Sequence, residues 1–170
     1  PVQVPGTTWD KAFGSYGSLY AIKTDGTLWS WGHNYGGALG HNDGTRKSSP
    51  TQIGSDTTWS TMDAAQYIVG AIKTDGTLWQ WGYNAVGGLG QNSRTHYSSP
   101  VQVGSETTWS IFQGAGEGSM GIKTDGTLWT WGNNYNGQLG INISEEANSR
   151  SSPVQVPGTT WSKCSGGTGG

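Results

Sequence analysis

KTDGTLW stands at residues 23–29, again at 73–79 and again at 123–129, without a single substitution. In the first copy Asp25-Gly26 separates two short runs rich in β-formers, LYAIKT and TLWSW. A D-G pair between such runs favours a tight turn with positive φ, so each copy predicts a two-stranded hairpin. Side chains alternate sides along a strand. Trp29 and Trp31 therefore share one face of the second arm and Leu28 and Ser30 the other, and the pairs Trp79/Trp81 and Trp129/Trp131 follow the same rule.

Outward from the hairpin, a second phrase recurs in step: PVQVPGTTW from Pro1, PTQIGSDTTW from Pro50, PVQVGSETTW from Pro100 and PVQVPGTTW from Pro153. Trp9, Trp59 and Trp109 are 50 residues apart, and Trp161 follows after 52 because the third connection, INISEEANSRSS, is longer than HNDGTRKSS and QNSRTHYSS. A weaker strand precedes each hairpin (KAFGSYG, TMDAAQY, IFQGAGE), and PVQV or PTQI supplies another after the connection. The reading is four strands per unit, with one repeat array over 1–170. Its complete units are about 5–53, 54–103 and 104–156, with partial units at 1–4 and 157–170.

One such sheet cannot bury a Trp-rich face alone, so neighbours must stack, as in propeller blades or a β-solenoid. A 50-residue unit exceeds the roughly 20 to 29 residues of a simple solenoid coil, and blades fit better. Each buried indole removes about 150 to 250 Å² from water, on the order of 4 to 6 kcal/mol gross. The ten tryptophans thus take the place of an aliphatic core.

WGHNYGGALG, WGYNAVGGLG and WGNNYNGQLG each follow DGTLW-x. This pattern, in step with P-x-Q-[VI], resembles the repeats of the regulator of chromosome condensation (RCC1) family over nearly the whole chain. The resemblance implies an all-β propeller of four-stranded blades, commonly seven in a ring. Three complete blades with partial blades at both ends then read as a segment of such a ring.

Composition narrows the function. Thirty glycines argue for turn-rich β structure. A charged fraction of 12% and a net charge of −2 supply no basic stripe for nucleic acid or an anionic membrane surface. No apolar run reaches the roughly 18 residues of a membrane span. Cys164 is the single cysteine and has no metal-ligand neighbours. His33, His41 and His96 do not recur at one position of the unit, and no carboxylate pair or Ser-His-Asp set stands out. The expectation is a non-enzymatic protein with no cofactor and no metal.

Several side chains have two readings. The Trp pairs suit inter-blade packing, which is favoured, or sugar stacking. Lys23, Lys73 and Lys123, with Asp25, Asp75 and Asp125, read as turn and edge decoration. Asn34, Asn84 and Asn134 read as turn-holding residues. Asn142-Ile143-Ser144 matches a glycosylation sequon.

Ligand-contact candidates are the positions that vary while the frame holds. Tyr16, Gln66, Tyr67 and Glu117 precede the hairpins, and His41, Arg46, Lys47, Arg94, His96, Tyr97, Glu145 and Glu146 lie in the connections. Weak constraint explains the same variation. The functional expectation is a recognition or adhesion propeller, part of a larger surface or virion protein in an extracellular or virion-associated setting. Its partner is a protein or glycan, besides further blades of a parent chain or other copies. The alternative is an intracellular RCC1-like interaction scaffold of the exchange-factor kind.

Overall fold

The computed structural model describes residues 1–143 and 149–167; Ser144 of the sequon, Glu145 and Glu146 lie outside them. Three four-stranded antiparallel sheets follow one another. The first holds β1 (Trp9–Ser15), β2 (Ser18–Lys23), β3 (Leu28–Gly32) and β4 (Lys47–Gln52). The second holds β5 (Trp59–Ala65), β6 (Ile68–Lys73), β7 (Leu78–Gly82) and β8 (Tyr97–Gln102). The third holds β9 (Trp109–Ala115), β10 (Gly118–Lys123), β11 (Leu128–Gly132) and β12 (Arg150–Val156). Strands lie in chain order within each sheet, which is the arrangement of a propeller blade. Among the described residues no helix is long and apolar enough to cross a membrane.

Two strand limits differ from the sequence reading. The first strand starts at the Trp rather than two residues later, because Trp9 pairs with Lys23 across a register shift. The last strand starts three residues before the proline, at Lys47, Tyr97 and Arg150. It is the outermost strand of its sheet, where a proline costs no ladder bond. Residues 1–4, the first PVQV, form no strand, whereas later copies pair with the third strand of their own unit.

The verbatim motif is fixed by partners for nearly every residue. Gly26 adopts φ +77° and its N–H donates to the Lys23 carbonyl at 2.9 Å. A Cβ there would fall 2.0 Å from the Thr57 carbonyl oxygen of the next unit. Asp25 Oδ1 accepts from Thr27 N–H (3.0 Å) and Thr27 Oγ1–H (2.7 Å), and Thr27 Oγ1 accepts in turn from Trp29 Nε1–H (2.8 Å). The chain of bonds repeats at Asp75–Thr77–Trp79 and Asp125–Thr127–Trp129.

The lysines are not edge decoration. Lys23, Lys73 and Lys123 each set Nζ 3.8–3.9 Å from the centroid of the motif indole and 4.8–4.9 Å from that of Trp9, Trp59 or Trp109. Lys73 pairs with Asp56 at 2.8 Å and Lys123 with Glu106, and both lysines are buried. The aliphatic stem is covered and the ammonium is held by π faces and a carboxylate, so burial costs little.

Blade junctions bury the core. The β2–β3 face of the first blade (Tyr20, Ile22, Leu28) packs on Met62, Ala64, Val69, Ala71 and Trp81 of the second. At the next junction Ile72 and Leu78 meet Trp109, Phe112 and Trp131. Trp81 and Trp131 are fully buried, while Trp31, in the first blade, is half-buried. Trp81 Nε1 donates to the Ala38 carbonyl (2.8 Å), which also accepts from the Tyr20 hydroxyl (3.0 Å).

The second junction uses different chemistry in the same frame. Trp131 Nε1 donates to Gln80 Oε1 (2.9 Å), and Gln80 Nε2 donates to Ser119 Oγ (3.0 Å). Sizes trade as well. Tyr20 in the first blade corresponds to Gly70 in the second, and Met62 corresponds to Phe112. A Cβ on Gly70 would stand 2.3 Å from the Phe112 ring, so the larger ring of Phe112 occupies the room that Gly70 leaves. Identical hairpins thus carry junctions that are individually matched.

Candidate functional site

Three two-residue turns, Tyr16-Gly17, Gln66-Tyr67 and Gly116-Glu117, join the first and second strands of the blades. Beside them begin the connections from the third strands, at residues 33–37, 83–87 and 133–137. Together they form one end of the blade array. The turns are set locally by a left-handed residue, Gly17 in the first blade and Gln66 and Gly116 in the others. Gln66 adopts φ +45° without being glycine, a conformation kept only where its surroundings impose it. One of those constraints crosses a junction, since Ser15 Oγ donates to the Gln66 carbonyl at 2.7 Å.

On this end the rings of two blades meet in a continuous stripe. Tyr16 is edge-on to Tyr67 at 5.7 Å, Tyr67 lies 4.5 Å from Tyr35, Tyr35 lies 5.7 Å from Tyr83, and Tyr83 stacks on His96 at 4.7 Å. His33 flanks both Tyr35 and Tyr67, at 6.3 and 6.4 Å. Tyr16 and Tyr35 remain 68% and 48% exposed. The approach between blades needs Gly36, whose φ is +62° and whose Cβ would meet Tyr83 Cβ at 3.0 Å. His96 is oriented by accepting, at Nδ1, the Asn84 backbone N–H at 2.8 Å.

On the third blade the stripe turns polar. Glu117 Oε2 accepts from Asn133 Nδ2 (3.0 Å), and Asn133 Oδ1 accepts from the Tyr135 N–H (2.8 Å). A hollow of about 530 Å³ opens there between Gln66, Glu117, Asn133, Asn136 and Gln138. Beneath the rim, Asn34 Oδ1 accepts from Leu39 N–H (2.9 Å) while its Nδ2 donates to the Asp43 and Thr45 carbonyls. Asn84 and Asn134 repeat the first of these bonds, and all three are buried turn-holders.

The structure places the sequence candidates in three groups. Tyr16, Gln66, Tyr67, Glu117 and His96 come together on this one end. Tyr97 begins β8 and packs against the first junction core. His41 bonds Ser30 Oγ through Nε2 at 2.9 Å, and its burial and Lys47 push its pKa down. Arg46 and Arg94 are exposed on the connections, and Lys47 pairs with Asp43 at 2.8 Å. Trp79 and Trp129 are half-buried and pack against the two junction cores while bonding the threonine of their own motif, and Trp81 and Trp131 are fully buried and hydrogen-bond across the junctions.

Sequence reading passed over His33, Tyr35 and Tyr83. All three fill variable positions of the W-G-x-N-x frame, so the criterion that picked Tyr16 and Tyr67 applies to them equally.

The Regulator of chromosome condensation (RCC1) repeat family matches residues 25–72 and 125–169, together more than half of the chain. No curated protein matches this chain. Among solved structures, Prp20p from Saccharomyces cerevisiae superposes with TM-score 0.78 at 16% identity, covering 89% of this chain and 39% of its own. Human WBSCR16 superposes with TM-score 0.76 at 20% identity, covering 88% and 38%. The chain thus spans about two fifths of the length of these solved chains. Likeness at such identities speaks for the fold alone, and it agrees with the three-blade architecture. With the repeat frame matched at both ends of the array, the chain belongs to the RCC1 repeat family.

Proposed function

We propose that this chain is a non-enzymatic protein-interaction module whose docking surface is the Tyr–His stripe. The continuous run of six rings across two blades carries the reading. Tyrosine offers large rigid contact area at low entropy cost, and glycine, serine and asparagine beside it supply adaptable hydrogen bonds, which is the composition of protein-binding paratopes. The side chains of the stripe carry no carboxylate or lysine; Glu117 supplies a negative charge only at its far end. The partner expected is therefore a folded protein surface with a neutral, hydrogen-bonding patch. Prp20p binds Gsp1p and histones and has been solved bound to Kap60; these support a protein partner for a blade array of this kind. An extracellular or virion-associated setting, as for an adhesion or tail-fibre protein, remains part of the proposal and rests on low charge and composition.

The test is affinity capture with the full chain, followed by titration of each captured protein in purified form. A partner of the stripe loses at least about 30-fold in affinity to Tyr35→Ala/Tyr67→Ala, the scale of an interfacial hot spot. Purified partners that bind wild type and variant equally refute the assignment.

A further inference from the structure

The two end faces of the blade array are faces of the kind that the internal junctions bury. On the first blade Leu19 is 47% exposed, whereas Val69 and Ser119, at the same position of the later blades, are 1% and 2% exposed. Trp31 is half-buried where Trp81 and Trp131 are fully buried and donate across a junction. On the third blade Gln138 and Gly140 are exposed, while Ala38, Gly88, Gly40 and Gly90 at the same positions are buried against the blade that follows.

These faces carry matching halves of the contacts that join the blades internally. Asn42 and Asn92 each donate a backbone N–H to the next blade, to the Ser98 and Ser151 carbonyls at 2.6 Å. Asn142 on the third blade keeps the same left-handed conformation, φ +58°, and Ser48 is the exposed counterpart of Ser98 on the first. Ser119 Oγ donates to the Gly88 carbonyl at 2.8 Å, so position 19 of an incoming blade meets position 138 of the third. Thr130 Oγ1 donates to the Leu139 carbonyl as Ser30 Oγ does to that of Leu39. The third face thus repeats the first junction, where the Ala38 carbonyl takes the incoming indole, and the Gln138 carbonyl holds that place for Trp31. Met120 stands where Gly70 does and Ala12 where Phe112 does, so large meets small again, in the opposite sense.

A nine-residue sequence recurs beside the two faces: PVQVPGTTW stands at 1–9 and at 153–161. Residues 157–167 lie on the third face without forming a strand. The Trp161 N–H donates to the Gly126 carbonyl at 3.0 Å, as the N–H groups of Trp59 and Trp109 do to Gly26 and Gly76, yet Trp161 is 41% exposed where those two are 4%. This segment holds the place of a first strand without its burial. We infer that a second copy of this chain docks there head to tail, its β1 replacing residues 157–167 in the same register. Its Leu19, Trp31 and Ser48 then take the positions that Val69, Trp81 and Ser98 hold at the first junction. A head-to-tail contact leaves the same pair of faces at the other ends. Two copies join at both and close a ring of six blades, inside the range of about four to eight for propellers. Displacing the resident segment offsets part of the gain, so the association is reversible, with a dissociation constant of about 30 µM. Trp31 is shielded only in proportion to the copies that are joined.

The experiment is analytical ultracentrifugation of the full chain from about 3 to 300 µM, a span that brackets the expected constant. The mass rises with concentration from one chain toward two. Leu19→Glu and Gln138→Lys, both at exposed positions, each weaken association at least tenfold. The chain carrying both substitutions recovers at least fivefold over either alone, because the new charges face each other only between copies. Trp161→Ala loosens the resident segment and tightens association at least threefold, a result that generic apolar stickiness does not give. Should Leu19→Glu not fold, Gln138→Lys and Trp161→Ala carry the test. Tyr35→Ala/Tyr67→Ala, at the first internal junction, leaves association unchanged, which separates this contact from the protein-docking stripe. A mass of one chain over the whole range, or a dimer undiminished by the folded Leu19→Glu or Gln138→Lys variant, overturns the inference.

Discussion

Trp131→Phe isolates what holds one blade to the next. The indole of Trp131 is fully buried, and its Nε1 donates across the junction to Gln80 Oε1 at 2.9 Å. Phenylalanine removes the donor and strands a buried amide oxygen, at a cost of about 1–3 kcal/mol. The smaller ring also leaves space beside Trp109 and Phe112, adding about 1 kcal/mol. A total near 3 kcal/mol lowers the melting temperature by about 6–12 °C for a chain of this length. Trp31→Phe makes the same chemical change in the first blade, where the indole is half-buried, and it costs under about 1 kcal/mol. Calorimetry on both variants supplies the comparison. A double-mutant cycle with Gln80→Leu isolates the cross-junction bond, with an expected coupling of about 1–2 kcal/mol. Equal losses for Trp31→Phe and Trp131→Phe, or no coupling to Gln80, would refute the reasoning.

Other perturbations reach different parts of the account. Lys73→Ala removes a cation from two indole faces and uncovers the stem's packing, and costs about 2 kcal/mol in chemical denaturation; Asp56→Asn, on the exposed side of that pair, costs under about 1 kcal/mol. Asn84→Ala orphans the buried Leu89 N–H and costs about 1–3 kcal/mol, measured by the same denaturation. The carboxyls of Asp25, Asp75 and Asp125 are held below the usual range by the hydroxyl and N–H of the threonine two residues on. Because the folded values are depressed, the stability they contribute is present above the ordinary carboxylate pKa, about 3.9, and is lost as pH falls through the folded values. Acid unfolding followed by tryptophan fluorescence therefore flattens in the triple Asp→Asn variant.

The repeat made the blade legible because its local signals agree: the Asp-Gly turn, the alternating indoles and the buried asparagines all speak through neighbours in sequence. What escaped reading depends on residues a unit apart. Lys73 looks like an edge charge until Asp56 and Trp59, 17 and 14 residues upstream, close around it. The matching of Gly70 to Phe112 and of Gln80 to Trp131 lies across a junction, where no local pattern reports it. The stripe was half legible. Tyr16 and Tyr67 stood out as variable turn residues, but their approach to Tyr35 and Tyr83 comes from the stacking of blades.

Hydrogen exchange of the indole N–H groups tests most directly whether the blades are bound through their indole-bearing faces. The account predicts that Trp81 and Trp131 exchange only through opening of a junction and are strongly protected, while Trp31 exchanges orders of magnitude faster. Comparable, rapid exchange at all three would contradict it.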